Sequence, residues 1–305
     1  MKYCSYSRHF CGFAAPSSPC RECGQICSTE FDSKKEGHVY PLLRKKVNCD
    51  NIMHRTVFCP FKTIRPPPRK PPPNLVKNYT MDGHCVFGSP WYLDDSAPTA
   101  PLRYAASSLT LLLVKDNQGI RINHYHDNNT FKTALKRYLS AIKGKHVAVV
   151  GTAMPWAEAI VLNLGAEKVT TIEYRDLYIE HPRVSVVTPS QYASRFLNRT
   201  AESFDAVVSY SSIEHTGLGR YGDPLMPYGD MEAVAQNWCA LKPGGYLFLA
   251  LPMNENRKKC VLQWNAQRRY SYFRMQHLTA NFKVLERINN PDPANTGLYV
   301  LQKLE

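Results

Sequence analysis

No apolar run in this chain is long enough to cross a bilayer. The longest, Ala105 to Val114, is about ten residues and is broken by Ser107, Ser108 and Thr110, whereas a spanning helix needs about 20. No leader is expected either, because Met1 to Phe10 is polar. Acidic residues are scarce: 25 Asp and Glu stand against 38 Lys and Arg, a net charge of +13. That surface favours anionic partners, from nucleotides and nucleic acid to acidic lipid and acidic glycans, without choosing among them. Residues 1–60 lack a sustained period of 3.6 or 2, and no internal repeat is present.

What is there is globular. The 305 residues are 44% hydrophobic and 21% charged, which excludes wholesale disorder. The length allows one large or two ordinary domains and a core that needs no metal or disulfide staple. The charge is uneven. Residues 1–85 carry 14 basic and 6 acidic residues, and residues 86–305 carry 24 and 19. The excess therefore sits on an N-terminal extension, and a broad nucleic-acid face on the core is not indicated. The extension also lacks regularly interleaved aromatics, which disfavours a nucleic-acid adaptor.

Eight of the ten cysteines precede residue 86: Cys4, Cys11, Cys20, Cys23, Cys27, Cys49, Cys59 and Cys85. Such a set reads as disulfides in a secreted chain and as thiols or metal ligands in a cytosolic one. Cys20 and Cys23 form a CxxC, but Cys49 and Cys59 lie ten apart and make a poor second pair, so no metal site is expected. N-x-S/T triplets begin at Asn78, Asn128 and Asn198. The missing leader favours the cytoplasm, while the cysteines and triplets suit a secretory lumen. The compartment stays open.

Six prolines between Arg65 and Pro73 predict a polyproline II rod, read as a spacer before an SH3-type ligand. Beyond residue 130 strands and helices alternate. Helices are expected over Phe131–Leu139, Pro155–Leu164, Pro189–Leu197 and Met231–Leu241. Strands are expected over His146–Val150, Lys168–Glu173, Val184–Val187, Phe204–Tyr210 and Tyr246–Leu251, with a terminal hairpin at Phe282–Ile288 and Leu298–Leu301. The pattern implies an α/β, doubly wound Rossmann-like domain with ligands outside the strands' carboxyl ends. The division read from it is a Cys-rich basic extension and polyproline linker over 1–74, a segment packing on the core over 75–130, and the α/β domain over 131–305.

Those carboxyl ends hold the candidate site. Gly151, Thr152 and Pro155 follow the first strand, although G-x-G-x-x-G is absent. Glu173 lies 22 positions beyond Gly151, the spacing of an acid that accepts ribose hydroxyls. Tyr210 and Ser211 open a loop that holds Glu214, His215, Arg220, Tyr221 and Asp223 among Gly217, Gly219, Gly222 and Gly229. His215 beside an acid at a strand end suits a general base. Trp264-Asn-Ala-Gln-Arg-Arg-Tyr270 offers amide and cationic groups for a substrate or, equally, a polar helix face.

Phe204-Asp-Ala-Val-Val-Ser, Ile213-Glu-His and Leu241-Lys-Pro-Gly-Gly-Tyr-Leu resemble the second half of a class I S-adenosylmethionine-dependent methyltransferase. The run Ser211 to Pro224, with Pro155-Trp-Ala-Glu158 and Trp264-Asn265, resembles an uncharacterised methyltransferase-like family first noted in nematodes and filed as a domain of unknown function. The resemblance covers about residues 50–305. It implies a seven-stranded sheet with the last strand antiparallel and S-adenosylmethionine as cofactor. Cofactor contacts are then expected at Gly151, Thr152, Pro155, Glu173, Tyr210 and Ser211. Glu214, His215 and Asp223 become the candidate catalytic residues, and Arg220, Tyr221, Asn265 and Arg268 would hold an acceptor, anionic in one reading. The activity implied is O- or N-methylation. The alternative is a non-catalytic protein that keeps the fold as a binding or scaffold module.

Overall fold

The computed structural model describes residues 46–58, 66–97, 100–122, 128–254, 258–289 and 296–304. The N-terminal elements are α1 (Cys49–Phe58), α2 (Pro73–Tyr79), β1 (Cys85–Phe87), β2 (Leu102–Tyr104), α3 (Ala106–Asn117) and α4 (Asn128–Arg137). Next come β3 (His146–Val150), α5 (Trp156–Asn163), β4 (Lys168–Ile172), β5 (Leu177–Ile179), β6 (Val184–Val187), α6 (Pro189–Leu197) and β7 (Phe204–Tyr210). The chain ends with α7 (Gly229–Ala240), β8 (Leu241–Pro252), β9 (Cys260–Gln263), β10 (Gln267–Arg269), α8 (Tyr272–Leu278), β11 (Phe282–Asn289) and β12 (Thr296–Lys303).

Seven strands form one sheet in the order β11-β12-β8-β7-β3-β4-β6. β6, β4, β3, β7 and β8 run parallel, and the last strand, β12, is antiparallel to both neighbours. This is the doubly wound sheet that the sequence pattern implied. Its central strands are covered on both faces, so they read as unbroken apolar runs rather than alternating ones. Val147, Ala148, Val149, Val207, Val208 and Leu249 are each at most 2% exposed. α1, α6, α7 and α8 cover one face, with Met53, Tyr192, Val234 and Met275 in the core. α3, α4 and α5 cover the other, with Leu109, Phe131, Leu135 and Ile160. The Thr188 hydroxyl accepts from Gln191 N and the Gln191 side chain accepts from Thr188 N, a capping box that fixes the start of α6.

No helix links β4 to β6. That connection carries β5, which pairs in parallel with β2 from the N-terminal region. The described part of the expected extension also lies on the domain. Cys49 of α1 is disulfide-bonded to Cys239 of α7, and Cys85 of β1 to Cys260 of β9. The polyproline run does not stand free as a spacer. Pro67 is buried, its carbonyl accepts from Tyr92 Oη at 2.6 Å, and the Pro68 carbonyl accepts from Trp264 Nε1 at 2.8 Å. Proline carbonyls have no partners within a polyproline turn, so such donors dock it. Residues 264–270 are not a helix face. They turn from β9 into the antiparallel strand β10. Asn198 is exposed at the end of α6 and Asn78 is half-buried in α2. Among the described residues no helix can cross a membrane, and no cluster of His, Cys, Asp and Glu could hold a metal; Cys20, Cys23 and Cys27 lie outside them.

Candidate functional site

The order in which strands are added reverses beside β3, with β4 on one side and β7 on the other. Ligands of doubly wound sheets sit at that reversal. Gly151 ends β3 with φ +73°, and a Cβ there would lie 1.7 Å from Ser212 Oγ, so the loops after β3 and β7 touch through a position that only glycine fills. Thr152 is buried and its hydroxyl donates to the Met154 carbonyl at 2.5 Å. Pro155 caps α5. Glu173 follows β4, and its Oε1 accepts from Arg175 N at 3.0 Å. Burial raises the Glu173 pKa, while backbone N–H groups of Arg175, Tyr174 and Thr152 oppose the rise.

Between these loop ends lies a cleft of about 40 Å³. Gly151, Tyr174, Pro189, Ser212 and Ile213 line it, each just beyond a strand, as do Met53 and Thr56 of α1; Thr152, Pro155, Glu173 and Ser211 do not. Asn237 of α7 also faces it, 5% exposed, and Asn237 Nδ2 has no hydrogen-bond partner among the described residues. A cleft this small holds a few waters, whereas sites for small molecules run to roughly 300 Å³ or more.

The loop after β7 is built around buried polar groups. Ser211 sits at φ +49° and donates to Glu214 Oε1 at 2.6 Å. Glu214 is 0% exposed, and His215 Nε2 lies 3.5 Å from the same oxygen. His215 Nδ1 is 2.6 Å from the Ala266 carbonyl, which fixes it as the donor. The Asp223 carboxylate accepts from the backbone of Gly217, Gly219 and Tyr221, and those three bonds oppose the rise in pKa that burial causes. Gly217, Gly219 and Gly222 take positive φ as expected, but Gly229 starts α7.

The expected acceptor residues do not converge on the cleft. Arg268 is 2% exposed and donates to the carbonyls of Glu214, Thr216, Met226 and Pro227, so it clamps the loop and presents no free edge. Beside it, Arg274 pairs with Asp230 at 2.6 Å. Burial would raise the Asp230 pKa, but the Arg268 and Arg274 charges hold it below the usual carboxylate range. Asn265 is 0% exposed and accepts from Leu93 N at 2.6 Å. Arg220 pairs with Asp95 at 2.7 Å and stacks over Tyr221, which is 39% exposed. Tyr210, the last residue of β7, packs edge-on against Phe131 and Trp156 in the core on the other face of the sheet and does not line the cleft. The sequence reading missed Met53, Thr56 and Asn237, which come from helices remote in the chain. Tyr174 was legible as the neighbour of Glu173.

Residues 144–303 match the family described as "Caenorhabditis protein of unknown function, DUF268". The chain belongs to that family. The DUF268 region spans β3 to β12 and so contains the whole seven-stranded sheet. No curated protein matches the chain. Among solved structures, it is similar to Burkholderia thailandensis 1,6-didemethyltoxoflavin-N1-methyltransferase, which holds 1,6-didemethyltoxoflavin and S-adenosylhomocysteine. That match has 17% identity and a TM-score of 0.43 and covers 72% of this chain and 100% of that one. It is also similar to the N-methyltransferase NodS from Bradyrhizobium japonicum WM9 in complex with S-adenosylhomocysteine. The figures are 18% identity, a TM-score of 0.36, and 65% and 98% of the two chains.

Proposed function

We propose that this DUF268 protein is an S-adenosylmethionine-dependent methyltransferase acting on an oxygen or nitrogen nucleophile. One observation carries the reading: residues just beyond β3, β4, β6 and β7 meet in one cleft at the reversal in strand order. The donor set there suits an adenosine. Tyr174 offers an aromatic wall, Asn237 Nδ2 a buried donor and Gly151 a close backbone approach; Glu173 does not line the cleft but adjoins Tyr174, from where its carboxylate would serve the ribose hydroxyls. S-adenosylmethionine, when bound, supplies a methyl group on a sulfonium sulfur. The protein's part is mainly to hold the acceptor in line and to keep water out. Ser211, Glu214 and His215 do not line the cleft, but they flank its residues Ser212 and Ile213 and form the hydrogen-bonded group that a proton leaving the acceptor would reach by way of this loop. Arg268, Asp223 and Asn265 serve as positioning residues of the loop.

A second reading, a non-catalytic module, is favoured by the tightness of the cleft. Calorimetry with S-adenosylhomocysteine separates the two. Wild type is expected to bind, and Glu173→Ala to bind about 10-fold or more weakly through lost hydrogen bonds of roughly 1.5–3 kcal/mol. Equal affinity removes Glu173 from the site, and no binding in any state leaves the module.

A further inference from the structure

We infer that α1 is a lid over the cleft, latched shut by the Cys49–Cys239 disulfide and released by thiol reduction. The inference rests on the reading of this cleft as the cofactor site. Met53 and Thr56 form the α1 wall of a cleft that has a buried donor and an aromatic wall for a nucleoside and too little room for one. The sheet side is fixed by packed strands. On the helix side α7 is buried along its length, whereas α1 buries Ile52, Met53 and Thr56 but keeps an exposed outer face at Asp50, Asn51 and His54, so α1 is the element that can yield.

Besides the burial of Ile52 and Met53 against the core, the ties of α1 divide into weak polar ones and one covalent one. Asp50 pairs with Arg199 at an exposed surface, Arg55 pairs with Glu232 at 3.3 Å, and Gln236 Nε2 donates to Thr56 Oγ1 at 2.8 Å. All three can break and re-form as the helix moves. The disulfide to α7 cannot, and it joins the lid directly to the helix that carries Asn237. Beyond α1 the chain stays anchored, because Pro67 and Pro68 are docked on Tyr92 and Trp264.

The two disulfides differ in access. Cys49 is half-buried and its partner Cys239 is 5% exposed, so an attacking thiolate approaches from the Cys49 side. Cys85 and Cys260 are 3% and 1% exposed, which shields that bond. A dithiol attacks Cys49 Sγ, the Sγ–Sγ bond breaks, and Cys239 leaves as a thiolate and is protonated. The second thiol of the reductant then resolves the mixed disulfide. Two electrons and two protons pass to the protein, and the reductant ends as its own disulfide.

The test uses the full chain, oxidised and after mild dithiothreitol, with mass spectrometry to establish which bond opened, together with Cys49→Ser. Hydrogen exchange follows the amides of Ile52–Thr56 and of Gly151, Ser212 and Ile213, and calorimetry follows S-adenosylhomocysteine. Reduction and Cys49→Ser are each expected to speed exchange at both groups of amides. Ligand affinity should rise about tenfold or more, as when a latch keeps the open form below about a tenth. Unchanged exchange at α1 and the cleft overturns the lid. So does ligand binding that is equal in the oxidised and reduced chains. If exchange speeds but the ligand binds in neither state, the lid stands and the cofactor reading falls. Because the variant needs no reductant, agreement between it and reduced wild type excludes effects at Cys85–Cys260.

Discussion

Replacing Glu158 by glutamine should stabilise the protein at pH 8 and do little at pH 4. Glu158 lies in the first turn of α5, 0% exposed, with Thr171 Oγ1 donating to its Oε1 at 2.7 Å. Burial pushes its pKa from 4.5 up to about 7, with the Thr171 bond opposing and the Glu173 charge adding to the rise. Because the folded pKa is the higher one, the folded state holds the proton longer. Below about pH 4.5 both states are protonated and nothing is lost. From there to about pH 7 the unfolded chain ionises first and stability declines, and above pH 7 the penalty is constant. A rise of about 2.5 units corresponds to about 3 kcal/mol. Glutamine removes that penalty, keeps an acceptor for Thr171, and gives up roughly 0.5 kcal/mol of interaction with the helix N-terminus. The net gain expected at pH 8 is therefore about 2–3 kcal/mol. Urea unfolding of both proteins at pH 4 and pH 8, without reductant, measures it as a difference of differences, so the other carboxylates cancel. A glutamine variant less stable than wild type at pH 8 would refute the reasoning, because the carboxylate would then be held ionised by the loop around Thr152.

Three further outcomes follow from the same contacts. Gly151→Ala meets both a positive φ and the Ser212 hydroxyl, so it should lower stability by about 3 kcal/mol or more; adding Ser212→Gly should recover part, measured by urea unfolding. Arg268→Met leaves four carbonyls without their donor and Asp230 with Arg274 as its remaining cation, and should cost about 3–5 kcal/mol, whereas an acceptor-binding arginine would leave the unfolding midpoint unchanged. His215→Asn should lower the melting temperature through the lost Ala266 contact while S-adenosylhomocysteine affinity holds; a loss of affinity with no melting change would place the imidazole against the ligand instead.

The sheet was legible because its central strands are buried on both faces and its edge strand β6 is a short valine-rich run. His146–Val150, Val184–Val187 and Phe204–Tyr210 are bounded as their apolar runs predict, and so is α6, whose Thr188 and Gln191 cap it. The N-terminal elements were not legible. β1, β2 and β5 have three residues each, too few for a period, and exist through partners far away in the chain. α3 reads as an apolar stretch because Leu111 and Val114 are exposed and blur its stripe. The site was half legible. Gly151 and Glu173 follow from strand spacing, but a buried Arg268 that clamps carbonyls looks in sequence like an arginine awaiting an anion. Nor does sequence tell that Met53 and Asn237 face one cleft, because nothing local links α1 to α7.

The two disulfides set an order on the birth of the molecule. They join residues 190 and 175 positions apart, each time an N-terminal cysteine to one in the last third of the chain. At ribosomal speeds of about 5–20 residues per second, Cys49 and Cys85 emerge roughly 10–40 s before Cys239 and Cys260 exist. During that interval they stand among six other cysteines of the first 85 residues with no correct partner to meet. Any disulfide formed with a neighbour in that interval would have to be exchanged before the N-terminus could be joined to the C-terminal half.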